Sequence, residues 1–394
     1  MSNPPPTPWW LRGALAVGPR GLTLGAHSVL ALAHQHGTPL YAYDSAHIRA
    51  QVADLRGALK RFSRYRIYYA MKANRFGPIL DLIREEGVGI DACSPAEVAL
   101  ARQAGFAPEQ ISVTASSLSP SDLLAFAKSG AHVNFDYVPA ALGLSELVGH
   151  RRPIGLRVDA MEDAGYGTRT NYGAGKLGLA PEDVVPAAVA LEREGAGTAV
   201  LHTNLGWGLR QADEPAFRRA MATLAALAAK LPTVTTINVG GGLGARLRQD
   251  DTPLSLERWA SAIWDALSDR YTIACEPGTL LVADAGLLVA RVTAAWNKRG
   301  ARWIGLDAGQ AVNVYAAHYG LELEIVPVAT PLSPATIVTN VAGNINEAGD
   351  VFARNRMLPE LNEGDLVALL PAGAYGSSMA SAHCLRGTFT ELLL

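Results

Sequence analysis

Cysteine is scarce: only Cys93, Cys275 and Cys384 occur in 394 residues. They are too scattered for a disulfide framework and show no metal-ligand spacing, which suits a reducing cytoplasm and gives no reason to expect a metal. Charge is also sparse, at 18% of residues, and nearly balanced, with a formal net charge of −2. That removes the electrostatic case for nucleic acid or an anionic membrane surface as partner. No apolar run is long enough to read as a bilayer span. The opening stretch Asn3-Pro4-Pro5-Pro6-Thr7-Pro8-Trp9-Trp10 has neither the basic start nor the apolar core of a secretory signal, and reads as a short proline-stiffened tail. The expected location is the cytoplasm.

What is present is apolar mass with a regular beat. Hydrophobic residues make up 49% of the chain, enough for a sizeable core, and the length suggests two domains. Short β-rich runs recur at Arg66 to Met71, Gly89 to Cys93, Ile111 to Ala115, His132 to Asp136, Ile154 to Val158, Thr198 to His202, Thr236 to Gly240 and Thr272 to Glu276. Helix-like segments separate them, and several open on start signals such as Ser119-Pro120-Ser121-Asp122 and Ala180-Pro181-Glu182-Asp183. Strand and helix alternating through eight strands predict an α/β fold, a (β/α)8 TIM-type barrel. A doubly wound open sheet also alternates, but the count of eight favours closure.

A barrel carries its chemistry where the strands end. Lys72 closes the first run and Asp91 the second; Asn134 and Asp136 end the fourth, and Arg157 sits on the fifth. His202 and Asn204 end the sixth, Gly240-Gly241-Gly242 follow the seventh, and Glu276 ends the eighth. Glycines directly after a strand let backbone N–H groups approach an anion, although a plain flexible turn has the same composition. Lysine, glycine cradle and carboxylate on neighbouring strands are three parts of a pyridoxal 5'-phosphate site. The lysine forms the Schiff base, the glycines hold the phosphate, and the carboxylate keeps the pyridine nitrogen protonated.

Five ordered motifs then become recognisable: Tyr69-Ala70-Met71-Lys72-Ala73-Asn74, Val239-Gly240-Gly241-Gly242-Leu243-Gly244, Glu276-Pro277-Gly278, Glu347-Ala348-Gly349-Asp350 and Gly373-Ala374-Tyr375-Gly376. Together they resemble the fold-type III pyridoxal-phosphate decarboxylases, the diaminopimelate and ornithine decarboxylase family, over nearly the whole chain. The resemblance implies an alanine racemase-like barrel at 41–275 and a β-domain built from 1–40 and 276–394. It also implies a homodimer with shared active sites and an amino-acid substrate. It casts Lys72 as the Schiff-base lysine, Glu276 as the pyridine partner, Gly240 to Gly242 as the phosphate loop with Gly278 nearby, and Tyr375 as a phosphate contact. Asp91, Glu97 and Arg157 match positions that organise the site, though Glu97 and Arg157 read equally well as structural ion pairs. Glu347, Asp350 and Tyr315 are the implied substrate contacts.

The departures are equally specific. Where the diaminopimelate branch has His-x-His-Ile-Gly-Ser, this chain reads His202-Thr203-Asn204-Leu205-Gly206-Trp207. The ring-stacking histidine is thus Asn204, and His202 is left either to cover the cofactor or to satisfy a buried carbonyl. Asn346 stands where the family donates a cysteine that returns a proton after carbon dioxide leaves, and an amide has no titratable proton to give. Lys72, His202, a tyrosine or water must then act, with Cys384 a lesser candidate. Arginines are missing at Thr279 and in Asp307 to Tyr315, which weakens the case for a substrate with a second carboxylate. The loop from Gly165 to Gly178, with Arg169 and Lys176, is a possible lid. The expected activity is decarboxylation of an amino acid or a derivative through Lys72, with a proton donor other than cysteine. The alternatives are racemisation or another Cα chemistry, such as capture of the carbanion by oxygen, and a non-catalytic homologue.

Overall fold

The computed structural model describes residues 7–149, 152–166 and 175–394. Arg169 of the expected lid lies outside them. Two compact units are present: one comprises residues 1–51, 246–251 and 281–394, the other residues 52–245 and 252–280.

The second unit is a closed barrel of eight parallel strands. In chain order they are β1 (Tyr65–Ala70), β2 (Gly89–Ala92), β3 (Ile111–Thr114), β4 (His132–Phe135), β5 (Ile154–Arg157), β6 (Thr198–His202), β7 (Thr236–Asn238) and β8 (Thr272–Cys275). Each pairs with its neighbour in sequence, and β8 closes onto β1 through Ile273↔Tyr65 and its two following pairs. Every expected strand is found; seven end one or two residues early where the chain turns into the rim, and β6 ends at His202 as expected. The helices start where their caps predict. Ser94 Oγ accepts from Glu97 N at the head of Pro95–Gln103, and Ser119 Oγ accepts from Asp122 N at the head of Pro120–Ser129.

The barrel interior is not wholly aliphatic. Ser112 of β3, Asn134 of β4, His202 of β6, Asn238 of β7 and Glu276 just past β8 are all buried. Asn134 Nδ2 donates to Ser112 Oγ and Thr114 Oγ1, and its Oδ1 meets His132 Nε2 at 3.1 Å. Gly155 on β5 makes room for that amide, because a Cβ there would lie 2.0 Å from Asn134 Oδ1.

The other unit is built on a mixed sheet. Its strands run in the order Glu324–Pro327, Leu366–Leu370, Gly286–Lys298, Ala301–Leu306, Ile337–Ala342, Val351–Leu358. Leu40–Tyr43 pairs antiparallel with Gly286–Lys298 and parallel with Thr390–Leu393, so the sheet takes in a strand that the sequence reading assigned, apart from Leu40, to the barrel. A small antiparallel sheet of Leu15–Gly18, Gly21–Leu24 and His27–Ser28 packs on it, with Leu22, Leu24, Val289, Val326 and Ala368 in the shared core. No helix of the described residues is long and apolar enough to cross a membrane.

Candidate active site

Lys72 lies in a short turn, Met71–Ala73, immediately after β1. The turn is pinned from both sides: Tyr69 Oη donates to Asn74 O at 2.9 Å, and buried Asn74 accepts from Phe76 N through Oδ1. The flanking residues Met71 and Ala73 are buried while Lys72 is exposed, so the chain sends its amine to the rim. Gly278 lets the loop after β8 approach closely, since a Cβ there would lie 3.1 Å from Ala73 Cβ and 3.3 Å from Ala70 Cβ.

Glu276 is held by three strands. His202 Nε2 lies 3.0 Å from Oε2, Asn238 Nδ2 donates to Oε1 at 2.7 Å, and Ser112 Oγ donates to Oε1 at 3.3 Å. Burial works to raise its pKa, but His202, the hydrogen bonds and the charge of Lys72 outweigh that and hold it down to about 2. Asp91 behaves in the opposite way. Burial and the nearby Glu276 charge push it well above the usual carboxylate range, and its Oδ1 has no hydrogen-bond partner among the described residues. Burial also lowers His202, so it is neutral near pH 7; with Nε2 donating to Glu276, its Nδ1 is an acceptor with no partner among the described residues. The histidine is fully buried and its ring nitrogen is engaged by the Glu276 carboxylate.

The glycine loop is a cradle that side chains would fill. Gly240 has φ +71°, and a Cβ there would come 2.2 Å from Thr203 O; one on Gly241 would come 2.5 Å from Glu276 O. Asn238 Oδ1 takes the Gly240 N–H, while the N–H groups of Gly241 and Gly242 donate to nothing among the described residues. Asn204 is half-buried and caps its own turn by accepting from Gly206 N.

Neither Glu97 nor Arg157 forms an ion pair with a described residue. Glu97 Oε2 instead accepts from Cys93 N at 2.6 Å, tying the end of β2 to the following helix. Arg157 is 7% exposed, and its charge is felt at Asp91. Thr279 Oγ1 accepts from Trp207 Nε1 at 3.3 Å, so the hydroxyl that replaces the family arginine is already engaged.

The remaining expected residues belong to the sheet unit. Tyr315 stacks on Tyr375 at 5.3 Å, and Tyr375 itself has φ +63°. Asp350 is buried and accepts from Gln310 N and Ile345 N, which gives it a loop-building role in place of the expected substrate contact. Glu347 is exposed and meets His383 Nε2 at 3.1 Å; Asn346 is exposed. Three residues escaped the sequence reading: Ser112 and Asn238, which hold Glu276, and Cys93, whose Sγ lies 3.6 Å from Lys72 Nζ. The first two are polar residues beside the apolar Ile111, Val113 and Ile237 of their strands, a signal that was legible.

Pyridoxal phosphate fits this donor set. Unspent N–H groups at Gly241 and Gly242 suit a phosphate, the ionised Glu276 suits a protonated pyridine nitrogen, and Lys72 supplies the amine.

The wider comparisons agree. The pyridoxal binding domain of the pyridoxal-dependent decarboxylases matches residues 45–283. The diaminopimelate decarboxylase of Methanothermobacter thermautotrophicus is 34% identical, aligned over 95% of this chain and 90% of that protein. That of Deinococcus radiodurans is 32% identical, with 94% of each chain covered. The crystal structure of Helicobacter pylori diaminopimelate decarboxylase complexed with L-lysine superposes with a TM-score of 0.85 at 27% identity, over 93% of both chains. With the motifs, the barrel and these relatives in agreement, the chain belongs to the fold-type III pyridoxal-dependent decarboxylases and is a pyridoxal-phosphate-dependent carboxy-lyase.

Proposed function

We propose that Lys72 is the amine that binds the cofactor, and that the chain removes the α-carboxylate of an amino acid and returns the proton from a group other than Asn346. The observation that carries this reading is the Glu276 cluster: a buried carboxylate kept ionised by His202, Asn238 and the Lys72 charge on the rim where the lysine emerges. When bound, the cofactor supplies the electron sink that lets carbon dioxide leave. The protein's part is positional and electrostatic. Glu276 presents fixed negative charge, the Gly241 and Gly242 N–H groups take an anion, and Lys72 offers its amine at a pinned turn. Arg157 adds positive charge where an anionic ligand is to be held.

The relatives' names make diaminopimelate the reference substrate. Thr279, spent on Trp207, leaves no charge-matched clamp there for a second carboxylate, and this favours a different amino acid. Glu347 and Tyr315 are the candidate substrate contacts, and Tyr375 the candidate phosphate contact. A homodimer with shared active sites is part of the same reading. Trp296, Val338 and Met357, exposed on the mixed sheet, are consistent with a covered face.

The test is a panel of L- and D-amino acids, meso-diaminopimelate included, mixed with cofactor-loaded protein. Carbon dioxide and the matching amine support the proposal. Solvent deuterium at Cα without carbon dioxide indicates racemisation and overturns it, as does inertness to the whole panel. Light scattering in solution tests the dimer.

A further inference from the structure

We infer that Cys93 is a positioning residue for proton return: its sulfur holds the amine of Lys72 so that a Lys72 N–H, in place of the cysteine the family uses, delivers the proton to the substrate's α-carbon. This rests on Lys72 being the cofactor lysine.

The geometry follows from strand register. β1 and β2 are parallel neighbours with Ala70 opposite Asp91, so Lys72 and Cys93, each two residues further on, leave the barrel side by side. Lys72 Nζ points at Cys93 Sγ across 3.6 Å, within range for an N–H···S contact. Cys93 cannot drift, because Glu97 Oε2 grips its backbone N–H at 2.6 Å and Ser94 starts the next helix. The thiol is the right partner for an amine that must keep its proton. Burial raises Cys93 to about 12 despite the pull of the Lys72 charge, so at neutral pH it is an uncharged acceptor. A carboxylate in the same place would bind the ammonium too tightly to let the proton go; a methyl group would accept nothing from it.

The step balances without an added reactant. When the substrate occupies the site, Lys72 is a free amine that takes up one proton from solvent water. Loss of carbon dioxide breaks the Cα–C bond and leaves its electron pair on the substrate. One Lys72 N–H bond then breaks as a Cα–H bond forms, and the neutral amine is ready for the next cycle. Asn346 has no proton to contribute.

Three variants test this: Cys93→Val, close in size without an acceptor; Cys93→Ser, which restores one; and Lys72→Ala. In cofactor-free protein, reductive methylation of Lys72 with formaldehyde, read by peptide mass, should run about threefold or more faster in Cys93→Val at fixed pH. That factor corresponds to one modest hydrogen bond lost from the ammonium, and Cys93→Ser should lie within twofold of wild type. In D2O, with the panel amino acid that releases carbon dioxide fastest, wild type and Cys93→Ser should deuterate one face of the α-carbon. Cys93→Val should give both faces, with kcat lowered and KM unchanged. Wild-type methylation rate together with single-face deuteration in Cys93→Val overturns the inference. If Cys93→Val fails to fold, Cys93→Ala, which also lacks an acceptor, takes its place in both measurements, and wild-type behaviour there overturns the inference equally. Failure of the underlying reading shows separately, as cofactor attached at a lysine other than Lys72.

Discussion

His202 Nε2 and Glu276 Oε2 sit 3.0 Å apart in the barrel, both nearly inaccessible, and the contact fixes the carboxylate's orientation and keeps it ionised. Removing the donor leaves a buried charge short of a partner. His202→Phe should weaken pyridoxal phosphate binding by about tenfold and cost about 2 kcal/mol of stability. Absorbance titration of the cofactor and urea unfolding measure the two effects.

The glycine loop gives a sharper contrast. Gly240→Ala meets both a left-handed backbone and the Thr203 carbonyl, so it should lose about 3 kcal/mol or more and the cofactor with it. Gly77→Ala, with open space around its Cβ, should shift stability by no more than about 0.5 kcal/mol and leave binding intact. Thermal unfolding with and without cofactor distinguishes the two.

Acid should act through the buried histidines. Burial lowers His132 to about 4, although its bond to Asn134 pulls the other way, and burial lowers His202 too. Both have folded pKa values below the unfolded value, so the unfolded chain binds more protons, and stability falls as pH drops below about 6.5. For His132 the loss is complete near pH 4 and amounts to on the order of 2–3 kcal/mol. Glu276 adds a second loss between its unfolded value of about 4.5 and about 2. His132→Gln should flatten the first part of the curve, as urea midpoints between pH 7 and pH 4 would show.

The strands were legible because alternation with helices leaves β-rich runs of fixed length, and Ser119 announced its helix by capping chemistry. Lys72, the glycine loop and Glu276 were legible because strand-end position says which residues face the rim. The Lys72–Cys93 contact was not, since it depends on the parallel register of β1 and β2, which no local pattern encodes. Asp350 misled for a related reason: a carboxylate that closes a loop on backbone N–H groups looks, in sequence, like one offered to a ligand. His202 carried two readings in sequence, and its contact with the Glu276 carboxylate was a third that strand-end position alone does not show.

The central claim is that the cofactor is bonded to Lys72, and borohydride reduction of the loaded protein followed by peptide mass mapping tests it most directly. The account predicts a pyridoxyl mass on the peptide containing Lys72 and none in Lys72→Ala. The same mass on Lys60, Lys128, Lys176, Lys230 or Lys298 in the wild-type protein, with Lys72 unmodified, would contradict it.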